Sequence, residues 1–236
     1  MLEHKGRTRL MKGTGGYCVR TYGDYLCTEL LWSTRFGETS GRAECETSER
    51  VRQEDGGWAL PGIGAYPHFR FMLPCHLAWR GGLWVHCAGA LRGGRYYLFA
   101  GRSGRGKSTI ARILSDSGLF QVGSDEVSVV RTGEGRATGY GTPWYSSAQL
   151  AANHAGEVAA LVFLDHGEDN VVEPLDKAEA TKGMLKQIFL PWWEDAAMRR
   201  TLAALDELVG RTSCWRLKFR PDEAVAGVLA DFVDGH

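Results

Sequence analysis

Apolar residues along this chain occur mainly in short continuous runs, and their pattern changes after the first eighty residues. Residues 1–16 are polar, 17–32 are rich in apolar residues of the kind that favour strands, and 37–57 are charged and rich in glycine, serine and glutamate. This pattern predicts a frayed start, one or two strands and a surface loop. Apolar residues resume at 68–73, ahead of Pro74, and predict a strand or a short helix there.

Beyond residue 80, apolar runs typical of buried strands alternate with segments whose apolar residues recur every three or four positions, as in helices. Alternating strands and helices predict an α/β fold. We expect residues 81–236 to form its core, and residues 1–80 to be a variable, β-rich N-terminal portion of the same domain. The predicted strands cover 83–88, 96–100, 119–123, 127–130, 158–164 and 217–219, and the predicted helices start at Ser108, cover 178–189 and 198–209, and start again at Pro221.

A complete phosphate-binding loop, G-x-x-x-x-G-K-S, lies between a predicted strand and a predicted helix. Its glycines let backbone N–H groups converge on phosphate oxygens, and the helix adds the positive end of its dipole. Lys107 can reach the β- and γ-phosphates of a nucleotide, and the Ser108 hydroxyl can bind Mg²⁺. Because strand, loop and helix follow in the required order, we predict a site for ATP and Mg²⁺. The predicted nucleotide-binding residues are Gly101, Arg102, Ser103, Gly104, Arg105, Gly106, Lys107, Ser108 and Thr109.

Two acidic positions are candidates to complete such a site, and they imply different proteins. Asp125 and Glu126 follow the strand that comes directly after the loop's helix, so we expect them to emerge near the phosphates. Asp165 ends the apolar run 161–164 in the form of a Walker B strand. Its plainer interpretation is a solvated residue at a strand end. The chain has no Asn-Lys-x-Asp sequence, which excludes the usual GTPase class.

Charge and composition argue against several classes of binding partner. The 28 basic and 28 acidic side chains balance, and no basic tract stands out, so we expect no nucleic-acid partner. The sequence contains neither a signal-peptide core nor an apolar stretch of about 18 residues, the length of a membrane helix. We therefore expect a cytoplasmic protein without a membrane partner. The six cysteines include no C-x-x-C pair, which argues against a zinc site.

The order of His86, the phosphate-binding loop and Asp125-Glu126 resembles that of bacterial HPr kinase/phosphorylase and its relatives. These relatives include the stand-alone kinases of peptide-maturation clusters, such as those of lasso peptides. The resemblance runs from about Leu83 to the C terminus, and it includes Gly141-Thr142-Pro143-Trp144 and the passage 215–221. It implies a P-loop kinase core of the type shared by the C-terminal domain of HPr kinase and PEP carboxykinase, with a mixed sheet flanked by helices.

The same resemblance implies roles for individual residues. Asp125 is the expected general base for a serine-type hydroxyl, and His86 is expected beside it, hydrogen-bonded to its carboxylate. Lys107 is the expected catalytic lysine, and Ser108 and Glu126, together with Asp125, are the expected Mg²⁺ ligands. The expected acceptor is a small protein or a ribosomal precursor peptide. Homo-oligomers occur in the family, so a homo-oligomer is also an expectation.

Three departures from the family pattern leave alternatives open. The relatives commonly carry Asp-Asp where this chain has Asp125-Glu126. The basic loop that follows the acidic pair in bifunctional enzymes is missing here, and its absence argues against phosphorylase activity. The first 80 residues match nothing in that family. One alternative is a catalytically impaired nucleotide-binding regulatory or scaffold protein. The other is a P-loop ATPase that uses Asp165 as its Walker B acid.

Overall fold

The computed structural model describes residues 3–5, 8–22, 30–37, 42–47 and 66–235. The predicted strand content of 23–29 and most of the predicted loop of 37–57 lie outside these ranges. The chain divides into two compact units. The first comprises Met1–Arg80 and Leu190–Arg199, and the second comprises Gly81–Phe189 and Arg200–His236.

The first unit contains a five-stranded antiparallel sheet whose strands follow chain order. The prediction that residues 1–16 are frayed was wrong for the second strand, which pairs along its whole length with the third. Leu10 is the only fully buried residue of this strand, and one such position is too few to predict a strand from the sequence. The elements are β1 Glu3–Lys5, β2 Thr8–Gly13, β3 Gly16–Tyr22, β4 Leu30–Phe36, β5 Ala43–Thr47 and helix α1 Tyr66–Ala78.

Helix α1 continues through Pro74, whereas the sequence predicted an element that ends before this proline. Beyond it, Cys75 and Ala78 are buried against Ala197 of the same unit, so the continued turn contributes to a core. At its start, His68 is buried between the hydroxyls of two threonines, Thr21 at 2.8 Å and Thr34 at 2.7 Å. Burial lowers the pKa of His68 to about 4, so this ring is neutral near pH 7.

The second unit is a mixed α/β fold built on a curled nine-stranded sheet with helices packed against it. Helix α4 begins in residues that belong to the first unit. The elements are β6 Gly82–Val85, β7 Cys87–Arg92, β8 Arg95–Ala100, α2 Lys107–Asp116, β9 Gln121–Ser124, β10 Ser128–Gly133, β11 Arg136–Tyr140, β12 Ala155–His166, β13 Val171–Pro174, α3 Lys177–Leu185, α4 Asp195–Arg211, β14 Ser213–Phe219 and α5 Ala224–Asp234.

The long strand β12 organises this sheet. One edge of β12 pairs in parallel with β8. The other edge pairs with β11 in antiparallel orientation near the start of β12, and with β14 in parallel orientation further along. On the far side of β8 the order continues through β7 to β9, both joined by antiparallel pairing. Strands β8 and β9 are therefore parallel with β7 between them, and α2 connects them. This arrangement brings the carboxyl ends of β8, β9 and β12 to the same edge of the sheet.

Helices α2 and α5 bury their apolar faces in the main core of this unit. The sequence predicted that Ile110, Ile113 and Leu114 share the apolar face of α2. Ile110 and Leu114 are fully buried there together with Ala111, and Ile113 is only partly buried against this core. Val225 and Leu229 of α5 are fully buried in the same core. No helix in the described part of the chain combines the length and the apolar character needed to cross a membrane.

Several predicted boundaries differ from the structure. The predicted strand 83–88 is two strands, because the chain leaves β6 at Val85 and enters β7 at Cys87 on a different part of the sheet. The predicted helix 178–189 ends at Leu185, and Ile188 bridges to Val85 instead. Strands β11 and β13 were not predicted, because each is short and contains few apolar residues.

Candidate nucleotide-phosphate site

The phosphate-binding loop joins the end of β8 to the first turn of α2, as predicted. Gly104 and Gly106 have φ angles of +82° and +89°, a region that favours glycine. A Cβ atom at Gly106 would also lie 2.7 Å from Cζ of the Phe219 ring. The loop therefore needs glycine at this position for its backbone angle and for close packing.

Gly106→Ala is expected to lower the free energy of unfolding by roughly 1–3 kcal/mol, because the new methyl group is both strained and crowded. The measurement is urea denaturation followed by tryptophan fluorescence. Gly227→Ala is the matched control. Gly227 lies on the exposed side of α5 with nothing within 4 Å of an added Cβ, so the control should be as stable as wild type or more stable by about 0.5–1 kcal/mol. Equal stability of the two variants would contradict the constraint on Gly106.

Lys107 is folded back onto its own loop. Its Nζ donates to the carbonyl oxygen of Gly101 at 2.8 Å and makes a longer contact, 3.5 Å, with that of Arg102. The side chain is only 8% exposed. Burial lowers the pKa of Lys107, while the charge of Glu126 acts in the opposite direction. The ammonium group of Lys107 is thus bound to its own loop and interacts with the charge of Glu126.

A cavity of about 420 Å³ opens in front of the loop. This size lies within the range typical of small-molecule sites. It brings together four of the predicted site residues that carry chemistry: His86, Lys107, Ser108 and Glu126. Its lining residues are His86, Ser103, Gly104, Gly106, Lys107, Ser108, Thr109, Glu126, Ser146 and Ser147.

Glu126 is held at this cavity by a turn that the buried Ser124 organises. The Ser124 hydroxyl accepts hydrogen bonds from the backbone N–H groups of Glu126 at 3.1 Å and Val127 at 3.0 Å. It donates to the carbonyl oxygen of Trp144 at 2.8 Å. This turn ends strand β9 and directs the side chain of the second acid in the pair toward the loop.

His86 lies beside Glu126, with Nε2 3.6 Å from Oε1. The imidazole is the largest cause of a lowered pKa for Glu126, and the charge of Lys107 contributes further. His86 occupies the single position between β6 and β7, where its backbone N–H donates to the carbonyl oxygen of Gln187 at 2.8 Å. The break between two strands therefore presents this side chain at the cavity.

Asp125 was predicted as a base beside His86 and as a Mg²⁺ ligand, and the structure places it away from the cavity. Asp125 is fully buried and does not line the cavity. Its Oδ1 accepts from the backbone N–H of Ser146 and its Oδ2 from that of Ala148, both at 2.9 Å. At the bend that follows β9, these bonds hold the Asp125 carboxylate against the backbone of residues 146–148, while Glu126 lines the cavity. Glu126 is therefore the acid of the pair that faces the loop, and Asp125 is an anchor.

Asp165 takes part in a different contact. It lies at the carboxyl end of β12, two residues beyond the register pair Phe163–Ala100. Its carboxylate forms an ion pair of 2.5 Å with Arg105 of the phosphate-binding loop, and both side chains are about 40% exposed. Neither residue lines the cavity, and neither do Gly101 and Arg102. The acid is thus attached to the outer side of the loop.

Four residues around the site were not predicted to contribute. Three of them are Ser124, Ser146 and Ser147, and the last two line the cavity. The fourth, Gln187, is buried after the end of α3. With its amide nitrogen facing the two carbonyl groups, it donates to Gly101 O at 3.0 Å and to His86 O at 3.2 Å. No local pattern marks Gln187 in the sequence, because its partners lie about 90 and 100 positions away.

The oxygen atoms of Ser108 and Glu126 at this cavity are of the kind that Mg²⁺ prefers. Within the described ranges, no three His, Cys, Asp or Glu side chains converge to hold a metal ion by themselves. A magnesium ion bound through one carboxylate, one hydroxyl and the phosphates of a nucleotide needs no such cluster. The residues present therefore fit a metal that arrives with its nucleotide.

Comparison with known proteins gives limited context. The sequence matches no family model, and it matches no curated protein. Among solved structures, the chain is similar to the HPr(Ser) kinase/phosphatase from Coxiella burnetii, with a TM-score of 0.38 and 14% identity. The similarity covers 65% of this chain and 89% of that chain.

Proposed function

We propose that this protein is an ATP- and Mg²⁺-dependent phosphotransferase that moves the γ-phosphoryl group to a serine-type hydroxyl. The observation that carries the proposal is the cavity in which Lys107, Ser108 and Glu126 meet in front of a strand-loop-helix unit. A phosphate-binding loop alone supports nucleotide binding. A carboxylate facing the same cavity adds the group that phosphoryl transfer requires.

In this proposal the loop and α2 bind the nucleotide phosphates. The backbone N–H groups at the start of α2 and the dipole of this helix favour an anion at this place. Lys107 leaves the carbonyl oxygens of Gly101 and Arg102 and turns its ammonium group toward the β- and γ-phosphates. Its partly desolvated charge interacts more strongly with an anion than an exposed lysine does.

Ser108 and Glu126 would hold Mg²⁺ in this proposal. When bound, the ion neutralises charge on the β- and γ-phosphate oxygens. Glu126 also faces the acceptor hydroxyl and takes its proton as the new bond to phosphorus forms. Its lowered pKa makes it a weak base, which is sufficient because catalysis of phosphoryl transfer is mostly positioning and electrostatics. His86 keeps the carboxylate oriented and ionised.

The acceptor class comes from the resemblance to the HPr kinase family, and we propose a small protein or a ribosomal precursor peptide. The test is mass spectrometry of small proteins and precursor peptides encoded beside this gene, after incubation with ATP and Mg²⁺. A gain of about 80 Da, the mass of one phosphoryl group, supports the proposal if it is absent with Glu126→Gln. ATP binding without ADP formation, with every acceptor tried, would instead support the regulatory or scaffold alternative.

One observation favours a second candidate function. Asp165 lies at the end of β12, which is parallel to β8, and it contacts the phosphate-binding loop through Arg105. A Walker B acid of an ATPase has this place in the sheet, and Asp165 would act as one if it exchanged Arg105 for a metal ion. In such an ATPase, Asp165→Asn would abolish ADP formation and Glu126→Gln would spare it. The kinase proposal requires the opposite ranking of the two variants.

A further inference from the structure

Ser146 lies in the cavity, across from the phosphate-binding loop. It belongs to the segment 141–150, which follows β11 and which we call the 141–150 loop. The only carboxylate among the residues lining the cavity is Glu126. A smaller part of the lowered pKa of Glu126 comes from a hydrogen bond with the Ser146 side chain, so the two groups are neighbours. A serine of the protein itself therefore lines the same cavity as Lys107, Ser108 and Glu126.

The 141–150 loop is held in this position from several sides. Asp125 accepts from the backbone N–H groups of Ser146 and Ala148, and Ser124 donates to the carbonyl oxygen of Trp144. Arg112 of α2 donates to the carbonyl oxygen of Ser147 at 3.1 Å. Because Arg112 lies in the helix that follows the phosphate-binding loop, the loop that carries Ser146 is tied to the element that binds the phosphates. Such fixed proximity favours a reaction within one molecule.

We propose that Ser146 is an autophosphorylation site, modified within the same molecule from bound ATP. This inference rests on the proposed function, since it uses the same nucleotide and the same acid. The Ser146 Oγ forms a bond to the γ-phosphorus of ATP, and the bond between that phosphorus and the β,γ-bridging oxygen breaks. The hydroxyl proton passes to the Glu126 carboxylate, and ADP leaves with the electron pair of the broken bond.

The modification limits its own enzyme. A phosphoserine carries a charge of roughly −1.5 to −2 at neutral pH. At position 146 this charge lies in the cavity that Lys107 and Glu126 also line. It is attracted to the ammonium group of Lys107 and occupies the volume that a γ-phosphate needs. A phosphorylated molecule is thus expected to bind ATP more weakly than an unmodified one.

The experiment uses the full-length protein, first treated with a phosphatase that is then removed. After incubation with ATP and Mg²⁺, intact mass and peptide mapping measure the modification. Wild type and Ser115→Ala should gain about 80 Da at Ser146, whereas Ser146→Ala and Glu126→Gln should not. Ser115 is the matched control, because it lies in α2 and does not line the cavity. The backbone N–H that binds Asp125 remains in Ser146→Ala, so this variant keeps the loop anchored. The rate constant should be unchanged over a tenfold range of protein concentration.

The outcomes separate this inference from the proposed function. Phosphate on a residue other than 146, or a rate that rises in proportion to protein concentration, would overturn the inference. It would also be overturned if wild type phosphorylates an added acceptor and shows no modification of its own. If no ADP forms with any acceptor and no residue is modified, the proposed function fails and the inference fails with it.

Discussion

Glu126→Gln is expected to lower the rate of phosphoryl transfer by about 10²–10⁴-fold, the usual range for loss of a positioned acid–base group. Glutamine keeps the size of the side chain and removes the charge that faces Lys107 and His86. ADP release in a coupled assay measures the rate. Glu134→Gln is the matched control, since Glu134 lies in the turn between β10 and β11 with its side chain 91% exposed. A control as inactive as Glu126→Gln would contradict the assignment.

The pH dependence of wild type provides a second measurement of the same group. The pKa of Glu126 is lowered from its ordinary value of 4.5, chiefly by His86. Because its pKa is below 4.5, the Glu126 carboxylate stays mostly ionised at every pH above 4.5. Protonation of Glu126 should therefore not reduce turnover anywhere between pH 8 and about pH 5.5. An acidic limb above pH 5.5 that disappears in Glu126→Gln would contradict this expectation.

Asp125→Asn is expected to act on stability, with a loss of roughly 2–4 kcal/mol in the free energy of unfolding. The aspartate accepts two backbone hydrogen bonds while fully buried. An asparagine offers one carbonyl oxygen, and its NH₂ group then faces an N–H donor that is left unpaired. Urea denaturation measures the loss. Asp116→Asn is the matched control, because Asp116 is exposed at the end of α2 and should change stability by less than about 0.5 kcal/mol.

The two substitutions together distinguish an anchoring acid from a reacting one. Glu126→Gln should remove activity and leave the urea midpoint near that of wild type. Asp125→Asn should lower the midpoint, and activity should fall only as far as the 141–150 loop loses its position. An Asp125→Asn variant that is as stable as wild type and inactive would restore the role that the sequence predicted for Asp125.

The phosphate-binding loop could be predicted from the sequence because each of its determinants is local. The apolar run of β8, the glycines and the amphipathic start of α2 lie within about 20 consecutive residues. The predicted order of strand, loop and helix was confirmed, and so was the α/β character of the second unit. Strand β2 was not predicted, since a strand with one deeply buried residue has no apolar alternation to detect.

The arrangement around the acids could not be predicted, because it depends on contacts between distant segments. Which of Asp125 and Glu126 faces the loop is decided by the Ser124 turn and by backbone donors more than 20 positions later. The position of His86 depends on a break between strands that the continuous apolar sequence conceals. The sequence therefore indicated the types of residue at the site and misassigned their partners.

The carbonyl oxygen of Gly101 accepts from two donors, Lys107 and Gln187. When Lys107 turns toward an incoming anion, the amide of Gln187 still donates a hydrogen bond to this oxygen. A buried carbonyl left without a donor costs about 1–3 kcal/mol. Because Gln187 remains as a donor, ligand binding does not incur this cost. If the contacts with the ligand are the same, this difference in free energy corresponds to between about 5-fold and 150-fold in affinity. Part of the affinity of the loop is thus set by a side chain that never touches the ligand.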